Sequence, residues 1–145
     1  MTLSITRLRI RHWRYLPLFL IYTMASSRQA RRTPGFVAGW VGTSGSTTFW
    51  TTTLWRDDGT LKAFRDQDWH RAAMLKLLDW CDEAAVARVQ QEDERLPDGS
   101  GAYDGLLSRG RLSKVRHPSA AHAAGQLAAD GRAPRAGQHL RPAAS

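Results

Sequence analysis

Among the side chains able to do chemistry, His70 has the most suggestive setting. It follows Asp68 and Trp69 in "DQDWHRAAMLKLLDWC", where an acidic residue precedes a helical repeat. The positive end of a helix dipole disfavours imidazolium, so a ring placed there tends to stay neutral, able to take a proton or bind a metal. Asp68 opposes that effect. A neutral histidine could act as general base, hydrogen-bond donor or axial ligand. The competing role is structural, a helix-start histidine satisfied by a backbone carbonyl. Met74 is four residues further on and therefore shares the side of His70.

Aromatic residues are the second chemical resource. All six tryptophans precede residue 81, which places the core there. Trp50 and Trp55 stand in "TTFWTTTLWRDDG", Trp69 adjoins His70, and Trp13 follows His12. Such rings could frame a flat apolar molecule, a polyketide-like aromatic, a polyene or a tetrapyrrole; they could equally pack a core. Trp50 and Trp55 are an odd number of residues apart, so a strand sends them to opposite faces.

Charged groups give weaker signals. Arg7, Arg9 and Arg11 alternate and could meet a carboxylate or phosphate, make salt bridges between protomers, or lie on a solvated edge. The edge is the expectation for the group, with Arg9 kept as a candidate substrate contact. Cys81 has Asp82 and Glu83 beside it, which raises a thiol pKa and argues against a nucleophile. No Cys/His set has zinc-like spacing, so no metal site is expected. Nucleophile elbows, phosphate loops and dinucleotide fingerprints do not occur.

The chain has 145 residues and a formal charge of +8. Residues 1–32 hold seven arginines and no acid. A basic surface suits nucleic acid, a membrane surface or an anionic substrate, or serves solubility alone. Nucleic acid is the minor option, because the basic residues lack interleaved aromatics. The stretch "RLRIRHWRYLPLFLIYTMASS" imitates a secretory leader. Its apolar run is too short to span a bilayer, and strand-like alternation with Pro17 at a helix start favours a strand followed by a helix. The lone cysteine fits a cytoplasmic setting; export is the alternative if residues 1–25 act as a signal.

These residues must be positioned by a small α+β domain. Residues 2–12 read as a strand with a change of phase, which implies a bulge. Residues 15–32 read as a helix with Leu16, Phe19, Leu20 and Met24 on its apolar stripe, ended by Pro34–Gly35. Residues 35–42 and 47–55 form a hairpin. Helices then start after an Asp58 cap and an Asp68 cap. A polar stretch, a short helix over 102–109 and a weak last strand over 111–115 complete a domain spanning 1–117. The segment 118–145 is rich in Ala, Gly, Arg and Pro and is expected to be disordered. The order β-α-β-β-α-β, with extra helices before the last strand, is the ferredoxin-like split unit. Its uncovered sheet face would carry large aromatics, which calls for a second copy to shield it.

The segments "PGFVAGWV", "FWTTTLWRDDGTLKAFR", "HRAAM", "WCDEA" and "GRLSKVRHPS" resemble a bacterial domain family of unknown function. That family is related to antibiotic biosynthesis monooxygenases and to spheroidene monooxygenase. The resemblance covers about residues 3–120 and implies a homodimer, a dimeric α/β barrel with a cleft between sheet and helices in each protomer. The leading expectation from these residues is a monooxygenase-like domain that binds and oxidises a hydrophobic aromatic or polyene molecule, with His70 as candidate catalytic base and Trp50, Trp55, Trp69, Met74, Arg9 and Trp13 as candidate substrate contacts. No cofactor is required on that reading. The alternatives are a non-catalytic ligand-binding or dimerisation module and a heme-binding protein with His70 as axial ligand. Heme-degrading relatives place an asparagine in the cleft, and this chain has no asparagine.

Overall fold

The computed structural model describes residues 1–144, with the side chains of Asp68 and Trp69 excepted. Six strands form one antiparallel sheet: β1 (Thr2–Ile10), β2 (Phe36–Thr43), β3 (Thr48–Trp55), β4 (Cys81–Gln90), β5 (Gly110–Leu112) and β6 (Arg135–Leu140). Their spatial order is β5-β4-β1-β3-β2-β6. The inner four carry the ferredoxin-like order 4-1-3-2, and β5 and β6 extend it at either edge. Helices α1 (Leu16–Arg32), α2 (Asp58–Arg65) and α3 (Asp68–Trp80) connect the inner strands; α4 (Gly99–Arg109) and the short α5 (Ala120–Ala123) follow β4.

The expected α+β class and ferredoxin-like core are present, but the fourth strand is not the one expected. Cys81–Gln90 forms β4, whereas the sequence suggested a polar stretch with the last strand at 111–115. Alanines 84, 85 and 87 have weak strand preference. Pairing along nearly the whole of β1 overrides it, with Leu3 opposite Val89 and Leu8 opposite Ala84. The phase change expected between Ile5 and Leu8 does not occur, since β1 pairs in unbroken register from Thr2 to Arg9; the irregularity lies further on, as a register shift between Arg9 and Ile10. Caps also differ slightly. Asp57, not Asp58, caps α2 by accepting from the Thr60 amide at 2.8 Å, and Gln67 stands at the α3 cap without a side-chain bond.

Even-numbered residues of β1 face α1, α2 and α3; Leu3, Ile5 and Arg7 face the other way. That second face holds Trp40, Trp50, Leu54, Ala85 and Ala87, all essentially buried, against Ala102 and Leu106 of α4. Partly buried Leu96 and Leu127 complete the cover. Trp40 Nε1 donates to the Pro97 carbonyl at 2.9 Å, tying the 91–98 loop to the sheet. The second copy was expected because this face looked bare. The chain itself covers it, so this face does not call for a second copy.

The expected disorder of 118–145 also needs correction. Residues 135–140 add to β2 as edge strand β6, and Leu140 is buried with Ala30, Phe36 and Trp55. Two glycines make room for it. A side chain at Gly42 would collide with the Arg135 carbonyl, and one at Gly99 with the Pro134 carbonyl. Backbone pairing and two close approaches seat a segment that has few apolar side chains of its own.

Candidate functional site

A cavity of about 390 Å³ lies between the first sheet face and the helices α1 and α3. Its floor is hydroxylic: Ser4 and Thr6 of β1, Thr51 and Thr53 of β3. Its walls are aromatic and aliphatic: Phe19 and Tyr22 of α1, Leu77 and Trp80 of α3. This resolves the unusual threonine content of β3. Alternation sends Thr51 and Thr53 to the cavity and Trp50, Thr52 and Leu54 to the α4 side. Threonine gives β-branched packing within the sheet while presenting hydroxyls to the cavity.

His70 borders this cavity at the start of α3. Its position is fixed by Gln29 of α1, whose amide donates to the carbonyls of Phe64 and Gln67 at 3.1 and 3.0 Å and whose Oε1 accepts from the His70 amide at 3.0 Å. One side chain thus staples the α2–α3 turn to α1. The His70 ring lies 4.3 Å from the Phe64 ring, centroid to centroid. His70 Nδ1 is 3.4 Å from the Arg65 carbonyl. A carbonyl only accepts, so a hydrogen bond here is made by the tautomer that carries its proton on Nδ1 and its lone pair on Nε2. Burial lowers the His70 pKa, and the Arg65 charge adds to that effect, against the Arg65 carbonyl bond and Asp66, which raise it. The ring is therefore a neutral base at neutral pH. The backbone-carbonyl contact foreseen for it is present, and it occupies one ring nitrogen.

Two further features mark the cavity. Ser26 Oγ of α1, on its lining, is buried with no hydrogen-bond partner among the described residues. Such a group costs of order 1–3 kcal/mol until something bonds it. At the sheet edge the lining turns cationic, with Arg88, Arg111 and Lys114. Arg111 sits opposite Val86, and Arg88 opposite Ser4, which aligns the basic side chains along the β4–β5 border of the cavity.

The other expected site residues are distributed differently. Met74 lines the cavity. Trp55 lies on the cavity side but behind it, fully buried and stacked on Phe64 at 4.9 Å. Trp50 is on the opposite face, its Nε1 donating to Ser44 Oγ at 2.9 Å. Trp13 is exposed on the 3-10 turn (Trp13–Tyr15) before α1, in ring contact with His12, and neither residue lines the cavity. Trp69 lies outside the described residues. Among the described residues, Trp80 is the tryptophan of the lining, held by rings of Tyr15 and Tyr22 at 6.4 and 5.6 Å. Its place could have been read from the α3 stripe Ala73–Leu77–Trp80; Arg88, Arg111 and Lys114 gave no signal because β4 was not recognised as a strand.

Arg9 and Arg7 are not edge residues, because β1 is central. Arg9 donates to both oxygens of Asp82 at 2.9 and 2.6 Å, which raises its pKa. Arg7 is 1% exposed and donates to Glu83 Oε1 at 2.8 Å. Ser119 Oγ donates to the other Glu83 oxygen at 2.8 Å, and Asp130 Oδ1 is 3.6 Å from Arg7 NH2. These charges lock the C-terminal segment onto the second face and do not reach the cavity. Cys81 is fully buried, and its thiol is pushed up to about 12, first by burial and then by Asp82. It is inert as a nucleophile at neutral pH.

No protein-family model matches the chain, and no curated protein is similar to it in sequence. Solved structures are similar in fold. The cofactor-independent oxygenase SnoaB from Streptomyces nogalater superposes with a TM-score of 0.54 at 13% identity, over 67% of this chain and 97% of its own. An antibiotic biosynthesis monooxygenase gives 0.57 at 12%, over 64% and 100%. A conserved protein from Methanosarcina mazei gives 0.57 at 12%, over 63% and 92%. The chain shares the ferredoxin-like fold of these structures, and about a third of its length lies outside the superposed region.

Proposed function

We propose that this monooxygenase-like domain binds a flat hydrophobic aromatic or polyene molecule in the cavity and oxidises it without a bound cofactor, His70 acting as the base. The observation that carries this reading is the His70 ring itself. With its proton on Nδ1, toward the Arg65 carbonyl, its Nε2 lone pair is free, on the wall of an apolar cavity with a hydroxylic floor. Aromatic walls exclude water, and a buried Ser26 hydroxyl offers one hydrogen bond to a polar substituent. The basic border of Arg88, Arg111 and Lys114 suits a substrate with an anionic end. SnoaB, of similar fold, is a cofactor-independent oxygenase, which supports the class of reaction.

The chemistry needs an electron-rich substrate. His70 Nε2 takes a proton from an activated C–H or O–H, and the resulting anion gives electrons to dioxygen. A carbon–oxygen bond forms as a hydroperoxide, and loss of water leaves a ketone. A methylene plus dioxygen becomes a carbonyl plus water, so the substrate supplies all four electrons and no external reductant enters. A cytoplasmic setting, where Cys81 stays reduced, is compatible with this scheme.

Oxygen uptake with polycyclic hydroquinones and polyenes tests the proposal. Loss of a positioned general base costs roughly 10²–10⁴-fold in rate, so His70→Gln should lose uptake while still binding the substrate. Binding without uptake in the unaltered protein would leave a ligand-binding module. A Soret shift with hemin that His70→Ala abolishes would instead favour the heme reading.

A further inference from the structure

The first helix turns apolar side chains outward. Leu16, Phe19, Leu20 and Met24 were expected to form its buried stripe, yet Met24 is 65% exposed and Leu20 43%, with Leu18 and Ile21 at 51% and 56%. At about 100° per residue, Ile21 and Met24 fall on the side of α1 opposite Phe19, Ser26 and Ala30, which face the sheet, and Leu18 lies on its flank. Trp13, on the turn leading into the helix, is 73% exposed. Single exposed apolar residues are ordinary, whereas several on one short helix mark an interaction surface.

Cations bracket this strip: Arg14 before it, Arg28, Arg31 and Arg32 after it. Arg28 and Arg32 make no ion pair among the described residues. Both line a groove of about 460 Å³ at the end of α1, beside Gln29 and Gln67. No acid occurs in residues 1–32 to offset them.

We infer that this outer face of α1 docks the protein on an anionic lipid bilayer. The helix lies along the surface, Trp13, Ile21 and Met24 enter the boundary between headgroups and acyl chains, and Arg28 and Arg32 meet lipid phosphates. Among the described residues no helix is long and apolar enough to cross a membrane, so the mode is docking. A second copy fits the same strip poorly. A two-fold contact centred on it would bring the cations of both chains together, like against like. A bilayer supplies the opposite charge and an apolar layer beneath it. The inference stands apart from the oxidation proposed above.

Flotation of the full chain with vesicles tests it. The protein should float with phosphatidylcholine–phosphatidylglycerol vesicles and stay behind with pure phosphatidylcholine. Each arginine near an anionic surface is worth about fivefold in partitioning, so Arg28→Gln/Arg32→Gln should weaken binding roughly 25-fold. Ile21→Ser/Met24→Ser should weaken it while leaving the melting temperature unchanged; if that variant fails to fold, the arginine pair, whose side chains lie outside the core, decides. No flotation with the anionic vesicles, equal flotation with neutral ones, or insensitivity to the arginine pair overturns the inference. So does a dimer in sedimentation that Ile21→Ser/Met24→Ser dissociates, which would give the face to a second copy.

Discussion

Replacing Arg7 by methionine removes the cation from a buried ion pair and asks what closes the second sheet face. Arg7 and Glu83 are 1% and 2% exposed, and their bond is 2.8 Å long. Removing one partner of such a pair costs about 3–5 kcal/mol, because the other charge stays buried. Here Glu83 keeps the Ser119 hydroxyl at 2.8 Å and Arg9 at 3.3 Å, so the loss should lie near the lower figure, about 3 kcal/mol. In a domain of this size each kcal/mol moves Tm by roughly 2–4 °C. Arg7→Met should therefore melt about 9 °C lower by calorimetry. Its C-terminal segment, left at Asp130 with the Ser44 hydroxyl bond at 3.1 Å, should be cut first in limited proteolysis. Arg7→Met/Glu83→Leu should recover most of the stability, since an apolar pair of similar volume carries no desolvation penalty. A single variant that melts within about 2 °C of the unaltered protein, with the C-terminal segment still protected, would refute the idea that this network seats it.

Other outcomes follow from the same geometry. Leu106→Ala in α4 empties a fully buried site against the second face and should cost about 2–5 kcal/mol in denaturant unfolding. Asp57→Ala removes the α2 cap, for about 1 kcal/mol by the same assay. Two titrations set opposite pH limits on stability. The His70 pKa is lowered on folding, so its contribution is present above the unfolded histidine value and is lost as pH falls through the folded one. The Cys81 pKa is raised to about 12, so its contribution is present below the unfolded thiol value and is lost as pH climbs toward 12. Denaturant midpoints against pH should thus decline on both sides, with His70→Gln flattening the acid limb and Cys81→Ala the alkaline one. Gly42→Ala should detach β6, seen as faster amide exchange in 135–140 with β1 and β3 unaffected.

Much of the fold was legible because its signals are local. Pro17 and Pro34–Gly35 bracket α1, the TSGS turn joins β2 to β3, and the α3 repeat leads to Trp80. What escaped is set by distant partners. Ala84, Ala85 and Ala87 become strand because β1 offers them a ladder, and Arg135–Leu140 become strand because β2 has a free edge and Gly42 lets it be approached. The site divides in the same way. His70 and Met74 could be found from position within one helix. Trp50 and Trp55 could not be sorted into lining and core without knowing which face α4 covers. Arg7 looked like an edge residue because nothing local says that β1 is central, and the second sheet face looked bare for the same reason: the covering segment lies eighty or more residues further along the chain.

The central claim is that each chain forms a largely apolar ligand cavity beside His70. It is tested most directly by equilibrium dialysis of a tricyclic aromatic carboxylate against the protein, at a concentration where sedimentation has fixed the number of chains per particle. The account predicts saturable binding of one ligand per chain, lost when Leu77→Trp fills the cavity and kept in His70→Gln. Absence of saturable binding, or one ligand per two chains, would contradict it.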